Sequence, residues 1–218
     1  VFSEQEEEAP APGPAAAAQL PVPQRRPLPR ETRETAAPSG PPRRQKGIFI
    51  TGTDTHVGKT VVTYVLGLLL KEAGWNVGAM KPVQCAGKDG QFLREFLDLA
   101  DPPEMINPCF APEALSPHIA FRRAKNPVDI RRILGACREL KKRHDALLVE
   151  GAGGLLVPIT EKYTMADLAR DMDLEVIIVS RLGLGTINHT VLTVEYAQAR
   201  GLKVMGIVFN KTGQEKEG

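Results

Sequence analysis

Residues 47–74 read GIFITGTDTHVGKTVVTYVLGLLLKEAG, and this stretch decides the fold class. Residues 47–50 are a short β-branched and aromatic run, which predicts a strand. Residues 51–58 form a loop of small and polar residues. Residues 59–71 carry apolar side chains at helical spacing and close at Ala73-Gly74, a helix end. Strand, glycine-containing loop, Gly-Lys-Thr and helix together read as a phosphate-binding loop. Backbone N–H groups of such a loop converge on phosphate oxygens at a helix N-terminus, where the helix dipole also favours an anion. Lys59 then reaches the β- and γ-phosphates, and the Thr60 hydroxyl sits on Mg²⁺. The spacing departs from the strict pattern in one respect. Five residues separate Gly52 from Gly58, and Thr53 stands where the first glycine is expected.

Composition bounds the rest. A chain of 218 residues is long enough for one domain with a sizeable core. Hydrophobic residues are 42% and charged residues 25%, as in ordinary soluble proteins. A formal net charge of +2 is too small to imply nucleic acid or a membrane surface. No apolar run approaches the roughly 20 residues of a membrane helix. Cys85, Cys109 and Cys137 are odd in number and far apart, with no CxxC spacing. That favours reduced thiols and a cytoplasmic location over a disulfide framework or zinc site.

Residues 1–46 differ in character from the remainder of the chain. They hold 10 of the 18 prolines, an acidic cluster at Glu4, Glu6, Glu7 and Glu8, and few large apolar residues. Such a segment buries too little surface to offset its chain entropy, so a disordered tail is expected, followed by one domain over 47–218. The alternative is a transit peptide, against which the acidic cluster argues.

From residue 47 onward strands and helices alternate. Residues 76–81 (NVGAMK) are a second strand and 89–99 (DGQFLREFLDL) a short amphipathic helix. An irregular connection spans 101–126, and 127–144 is a helix with Pro127 in its first turn. Residues 146–150 (ALLVE) and 175–180 (EVIIVS) are continuous apolar strands of the kind buried on both faces. Between them lies a short helix at 163–172. A helix at 186–200, ended by Gly201, precedes the last strand at 203–210 (KVMGIVFN). The pattern predicts an α/β fold: a doubly wound, mostly parallel sheet with helices on both faces. Basic groups at Arg122-Arg123, Arg131-Arg132 and 141–143 read as solvated helix faces.

In such sheets ligands bind beyond the carboxyl ends of the strands, and four informative clusters fall there. They are the phosphate loop, Lys81-Pro82-Val83, Glu150-Gly151-Ala152-Gly153-Gly154, and Asn210-Lys211. Glu150 ends an apolar strand and needs a partner. A Mg²⁺ held by nucleotide phosphates is one; capping the glycine turn is the other use. Asp89 is open to two readings, a second carboxylate for the metal or the cap of its own helix. Lys81 beside the phosphates would neutralise charge on a transferred phosphoryl group, unless it simply faces solvent. Asn210 is placed to hydrogen-bond a base. His118 and His189 read as structural hydrogen-bonding groups.

Taken in order, GTDTHVGKT, KPVQCAG, LSPHIA, VEGAGGLLVPI and LGTINHT resemble the motifs of the dethiobiotin synthetases, over residues 47–211. The loop at Thr53-Asp54-Thr55 resembles that family's own variant of the phosphate loop. The resemblance implies an ATP- and Mg²⁺-dependent ligase that joins CO₂ to 7,8-diaminononanoate and closes a ureido ring. It further implies catalytic roles for Lys81 and Lys59, and Mg²⁺ ligation by Thr60, Asp89 and Glu150. ATP would be bound by His56, Val57, Gly58, Lys59, Thr60, Val61, Asp89, Glu150, Gly151, Ala152, Gly153, Asn210 and Lys211. The diamine would lie at Thr55 and Cys85. Its carboxylate tail would be held by Gly185, Thr186 and Asn188 across a homodimer interface, with neither nucleic acid nor membrane as partner. A further strand and final helix, which complete the adenine pocket in relatives, are expected beyond this sequence. Competing readings are a cobyrinate diamide synthase or partitioning-type ATPase on the same fold, or a nucleotide-binding remnant without activity. The former usually needs a glutaminase domain, and the latter ATPases carry an extra lysine where this chain has Thr53-Asp54-Thr55.

Overall fold

Four strands of the main sheet owe their place to apolar runs that only a two-sided core can bury. The structure is a computed structural model that describes residues 46–211. The expected tail, up to residue 45, and residues 212–218 lie outside the described residues. In chain order the elements are β1 (Lys46–Gly52), α1 (Lys59–Glu72), β2 (Val77–Met80), β3 (Val83–Cys85), α2 (Asp89–Phe96), α3 (Pro103–Ile106), β4 (Cys109–Ala111) and α4 (Pro117–Arg123). There follow α5 (Ile130–Arg143), β5 (Ala146–Glu150), β6 (Pro158–Thr160), β7 (Tyr163–Thr164), α6 (Met165–Asp171), β8 (Glu175–Arg181), α7 (Thr186–Ala199) and β9 (Val204–Asn210).

The main sheet has the order β2-β5-β1-β8-β9, and every pairing in it is parallel. β3 and β4 form a separate parallel pair, β6 and β7 an antiparallel one. β1 is central: the chain first moves outward to β2, returns through β5, then crosses to β8. The loop after β1 therefore sits where the winding reverses, the point at which such sheets bind ligands. Burial explains the strands. β2 and β5 are buried along their whole length, as are Val176 to Ser180 of β8. One apolar cluster, with Phe49, Leu147, Val149, Ile178, Ile133 and Leu168, fills the face under α5 and α6. The other, with Ile50, Leu148, Ile177, Val62, Leu93 and Leu97, fills the face under α1 and α2. The predicted doubly wound sheet is observed, and it is of the P-loop NTPase type. No helix among the described residues is long and apolar enough to cross a membrane.

Differences from the predicted elements have local causes. α5 starts at Ile130, three residues past Pro127, because the Asp129 side chain accepts from the Arg132 amide and makes the cap. The helix expected at 89–99 ends at Phe96, where Asp98 turns left-handed (φ 50°). The supposedly irregular stretch 101–126 holds α3, β4 and α4. Pro103 and Pro117 open the two helices from their first turns. At 163–172 the first two residues pair with β6, and the helix proper begins after them.

α6 is fixed by a capping box. The Thr164 amide and hydroxyl donate to Asp167 Oδ2 at 2.9 and 2.7 Å, and the Asp167 amide donates back to Thr164 Oγ1. Arg200, after α7, ion-pairs with the same carboxylate. Burial opposes ionisation of Asp167, but the Thr164 groups and the Arg200 guanidinium outweigh it and hold its pKa below the usual carboxylate range. A carboxylate depressed in this way stabilises the fold above its unfolded pKa of about 3.9, and the contribution is lost as pH falls through the folded value. Asp167→Ala is expected to cost about 1 kcal/mol or more at neutral pH. In urea unfolding the gap between wild type and variant should close as the pH is lowered from about 5 towards 2.

Candidate active site

The phosphate loop is built around its own lysine. Lys59, the first residue of α1, is buried, and its Nζ donates to the Asp54 carbonyl at 3.0 Å. The loop is tied to β8 by the Thr53 amide, which donates to the Val179 carbonyl at 2.9 Å. Gly58 caps α1 with φ 90°, a left-handed conformation, and no side chain caps the helix. Its first turn carries no acidic residue, and the first helical bond runs from Val62 N to Gly58 O. The amides ahead of Val62 are the donors that a helix leaves for an anion. Burial, then the neighbouring Lys81 cation, lowers the Lys59 pKa to about 8. An anionic phosphate would supply the charge that this ammonium lacks.

Lys81 follows β2 directly and is 3% exposed, so it is no solvent-facing lysine. Its Nζ lies 2.6 Å from Glu150 Oε1, 2.8 Å from Asp89 Oδ2 and 3.3 Å from the Gly151 carbonyl oxygen. Burial alone would lower its pKa; the two carboxylates and their hydrogen bonds outweigh that and raise it. Glu150 Oε1 also accepts from the Thr60 hydroxyl at 2.9 Å, which joins the loop to the Lys81 group. Glu150 Oε2 is buried without a hydrogen-bond partner. Glu150 thus faces the cluster rather than capping the glycine turn. Asp89 is the first residue of α2, not its cap, and its carboxylate goes to Lys81.

The remaining predicted residues surround this group. Asn210 ends β9, and its Nδ2 donates to the Val57 carbonyl at 3.0 Å. Lys211 follows it, exposed. Gly151 N donates to Ile50 O, so the glycine turn 151–153 rests on β1. Thr55 and His56 are exposed in the loop, while Val57 is buried and Val61 exposed. Thr55 lies beside Gly153, whose Cβ, if present, would stand 3.7 Å from the threonine methyl. Cys85 ends β3; burial raises its pKa and the nearby Lys81 lowers it. Gly185 caps α7 at φ 89°. The Thr186 hydroxyl turns inward to the Arg181 carbonyl, and Asn188 is exposed. This segment reaches the phosphate loop through Ser180, which bonds Thr186 (2.9 Å), Thr190 (2.8 Å) and Thr53 (3.4 Å).

His118 bonds Ser116 as a structural histidine would. His189 does not follow that reading, because its Nδ1 is buried with no partner. Sequence reading missed three supporting residues. Asn107 donates to the Lys81 carbonyl at 2.6 Å and left no local signal. Gln84 sits inside KPVQ, and Ser180 closes the buried run of β8 as Glu150 closes that of β5, which is a usable signal.

Comparison with known proteins agrees with this geometry. Residues 46–217 match a family described as an AAA domain. The ATP-dependent dethiobiotin synthetase of Methanococcus vannielii is 46% identical over 164 residues, 75% of this chain and 78% of the relative. That of Anaeromyxobacter dehalogenans is 46% identical over 177 residues, 79% of each chain. The chain belongs to the dethiobiotin synthetase family. As a member of that family it is an ATP-dependent ligase. Among solved structures, the kinase domain of the Escherichia coli tyrosine kinase ETK shares the fold. The TM-score is 0.50 at 15% identity, over 80% of this chain and 69% of that one. At that identity the likeness speaks for the fold alone.

Gly58 has little room for a side chain. A Cβ there would stand 2.1 Å from Asn210 Nδ2, on a backbone that is already left-handed. Gly58→Ala is therefore expected to destabilise the protein by about 1–3 kcal/mol through backbone strain and the loss of the Asn210–Val57 bond. Thermal unfolding measures the first effect. Nucleotide titration should show weakened ATP binding.

Proposed function

We propose that this chain is a dethiobiotin synthetase that carboxylates 7,8-diaminononanoate with CO₂ and closes the ureido ring at the expense of ATP. The observation that carries the reading is the buried Lys81 ammonium, set between Glu150 and Asp89 and linked by Thr60 to the phosphate loop. We place the activity in residues 47–218. The first step is carbamate formation: one amine nitrogen bonds to CO₂ and releases a proton. A carbamate oxygen then bonds to the γ-phosphorus, and ADP leaves with the electron pair of the broken P–O bond. The second amine adds to the carbamate carbon and releases a proton. Phosphate leaves with the C–O electron pair, and the ring closes.

The residues take complementary parts. The loop amides and Lys59 hold the β- and γ-phosphates. Lys81 neutralises charge on the carbamate and on the phosphoryl group in transfer. His56, Val57, Val61, the glycine turn at Gly151, Ala152 and Gly153, and the Asn210-Lys211 end of β9 frame the nucleotide. Thr55 and Cys85 border the diamine. The uncapped N-terminus of α7, with Gly185, Thr186 and Asn188, takes the substrate carboxylate. Exposed Leu184, Ile187, Val191 and Leu192 on and before this helix support a homodimer meeting there.

The residues fit Mg²⁺. Thr60, Asp89 and Glu150 offer the hard oxygen donors that it prefers, and Glu150 Oε2 is a buried acceptor with no partner. Among the described residues no group of three or more His, Cys, Asp or Glu could hold a metal alone, so phosphate and water would complete the shell. When bound, the ion would supply positive charge to the phosphates.

The test is phosphate release from Mg-ATP with and without 7,8-diaminononanoate and bicarbonate, with mass detection of dethiobiotin. Release that needs both co-substrates is expected; release indifferent to the diamine would overturn the assignment. Lys81→Ala should lower turnover by about two orders of magnitude or more while Mg-ATP still binds. It also leaves the Glu150 carboxylate short of a partner, so without Mg²⁺ the variant should lose about 3 kcal/mol of stability. Glu150→Gln should instead raise the Mg²⁺ concentration needed for half-maximal activity.

A further inference from the structure

Gln84 lies in β3, is buried, and uses both ends of its side-chain amide. Its Oε1 accepts from the Gly90 amide at 2.9 Å, and its Nε2 donates to the Gly87 carbonyl at 2.8 Å. The orientation is set by chemistry, since the flipped amide would put a donor against a donor and an acceptor against an acceptor. The two bonds span the turn that carries the chain from β3 into α2. That turn holds Ala86 and Gly87 left-handed (φ 57° and 68°), and Ala86 N is anchored on Ala111 O. Left-handed alanine costs about 1 kcal/mol, so the turn persists only because its surroundings hold it.

The first amides of a helix have no partner within it and call for a cap. Lys88, at the cap position of α2, supplies no side-chain bond. Asp89 is a residue type that accepts from such amides readily. Its carboxylate lies on Lys81 instead, and the Gly90 amide is satisfied by Gln84. Position 90 is fitted to this contact. A Cβ there would stand 3.3 Å from Gln84 Oε1 and 2.9 Å from Asn107 Cβ.

We propose that Gln84 is a positioning residue: it caps α2 from a neighbouring strand and so keeps the Asp89 carboxylate on Lys81 and available to the metal. The inference rests on the role given to Asp89 under the proposed function. Without Gln84, the orphan amides of α2 recruit Asp89 as their cap, and Lys81 is left with Glu150.

The test is a double-mutant cycle of Gln84→Met and Asp89→Asn on the full chain. It is read by calorimetry of ATP binding at graded Mg²⁺, by turnover and by melting temperature. Gln84→Met should raise the Mg²⁺ needed for half-maximal ATP binding by about tenfold, as outer partners of metal ligands commonly do. In the Asp89→Asn background the same change should shift it by less than about twofold, since the two act as one unit. A shift of equal size in both backgrounds, or no shift in either, would overturn the inference while leaving the role of Asp89 intact. If Asp89→Asn alone alters neither Mg²⁺ dependence nor turnover, the reading of Asp89 falls, and the inference with it. Should Gln84→Met fail to fold, Gln84→Leu, which likewise removes the acceptor of the Gly90 amide without opening room for a water, is read by the same criteria.

Discussion

The Lys81–Glu150 contact is the constraint on which the site depends. Both groups are almost wholly buried, 2.6 Å apart, at the end of a sheet whose interior is apolar on both faces. Neither charge is tolerable there alone, because desolvating a lone ion costs several kcal/mol. Asp89, half in solvent, adds the second negative charge, and Thr60 ties the pair to the phosphate loop. The balance within the cluster is then close to neutral, with Lys59 and Lys81 against Glu150 and Asp89. It is not evenly shared. Lys81 takes both carboxylates, so its proton is held firmly, while Lys59 has a backbone carbonyl and a repelling neighbour. One lysine is thereby paired by the fold itself, and the other awaits an anion.

Much of this was legible in the sequence, for physical reasons that can be named. The phosphate loop declares itself because strand, glycine turn and helix must occur at fixed spacing for amides to converge. ALLVE and EVIIVS declare themselves because only a parallel sheet core buries such runs on both sides. The stretch 101–126 was opaque because its elements have three to seven residues, too short for any periodicity to show. β3, β6 and β7 were missed for the same reason. The start of α5 was misplaced because a proline near a helix start and an aspartate at its cap are both good signals. The side-chain bond from Asp129 decided between them. Asp89 was ambiguous in sequence because the same residue type caps helices and binds metals. In the structure its carboxylate lies on Lys81, while the Gly90 amide is taken by Gln84, a partner that local pattern cannot supply.

The loop's departure from the strict glycine spacing also has a structural reading. The Asp54 carbonyl accepts from Lys59 Nζ, and the Asp54 side chain accepts from the Thr55 amide at 2.7 Å. A Cβ at Gly52 would stand 2.7 Å from that same carbonyl and 3.1 Å from Lys59 Nζ. The first glycine of this loop is therefore needed where the chain leaves β1, one place before the strict pattern puts it. Thr53 can occupy the usual glycine position because its backbone is not left-handed, and its amide is bonded to the Val179 carbonyl of β8.

The strand ends share a more general regularity. β5 stops at Glu150, β8 runs out through Ser180 and Arg181, β9 stops at Asn210, and β2 is followed at once by Lys81. Each polar residue comes directly after an apolar run. The interior tolerates no polar side chain without a partner, so the positions before these ends are apolar except Glu175, which stands at the half-buried start of β8. At the carboxyl end the neighbouring strands finish together, and helix N-termini turn their positive ends inward. Polar groups placed there can satisfy one another, as Lys81 does with Glu150 and Ser180 does with Thr190. In a parallel sheet the last residue of a buried strand is thus a sharper guide to the site than any polar residue in a loop. The core forbids it everywhere except at the edge where function is carried out.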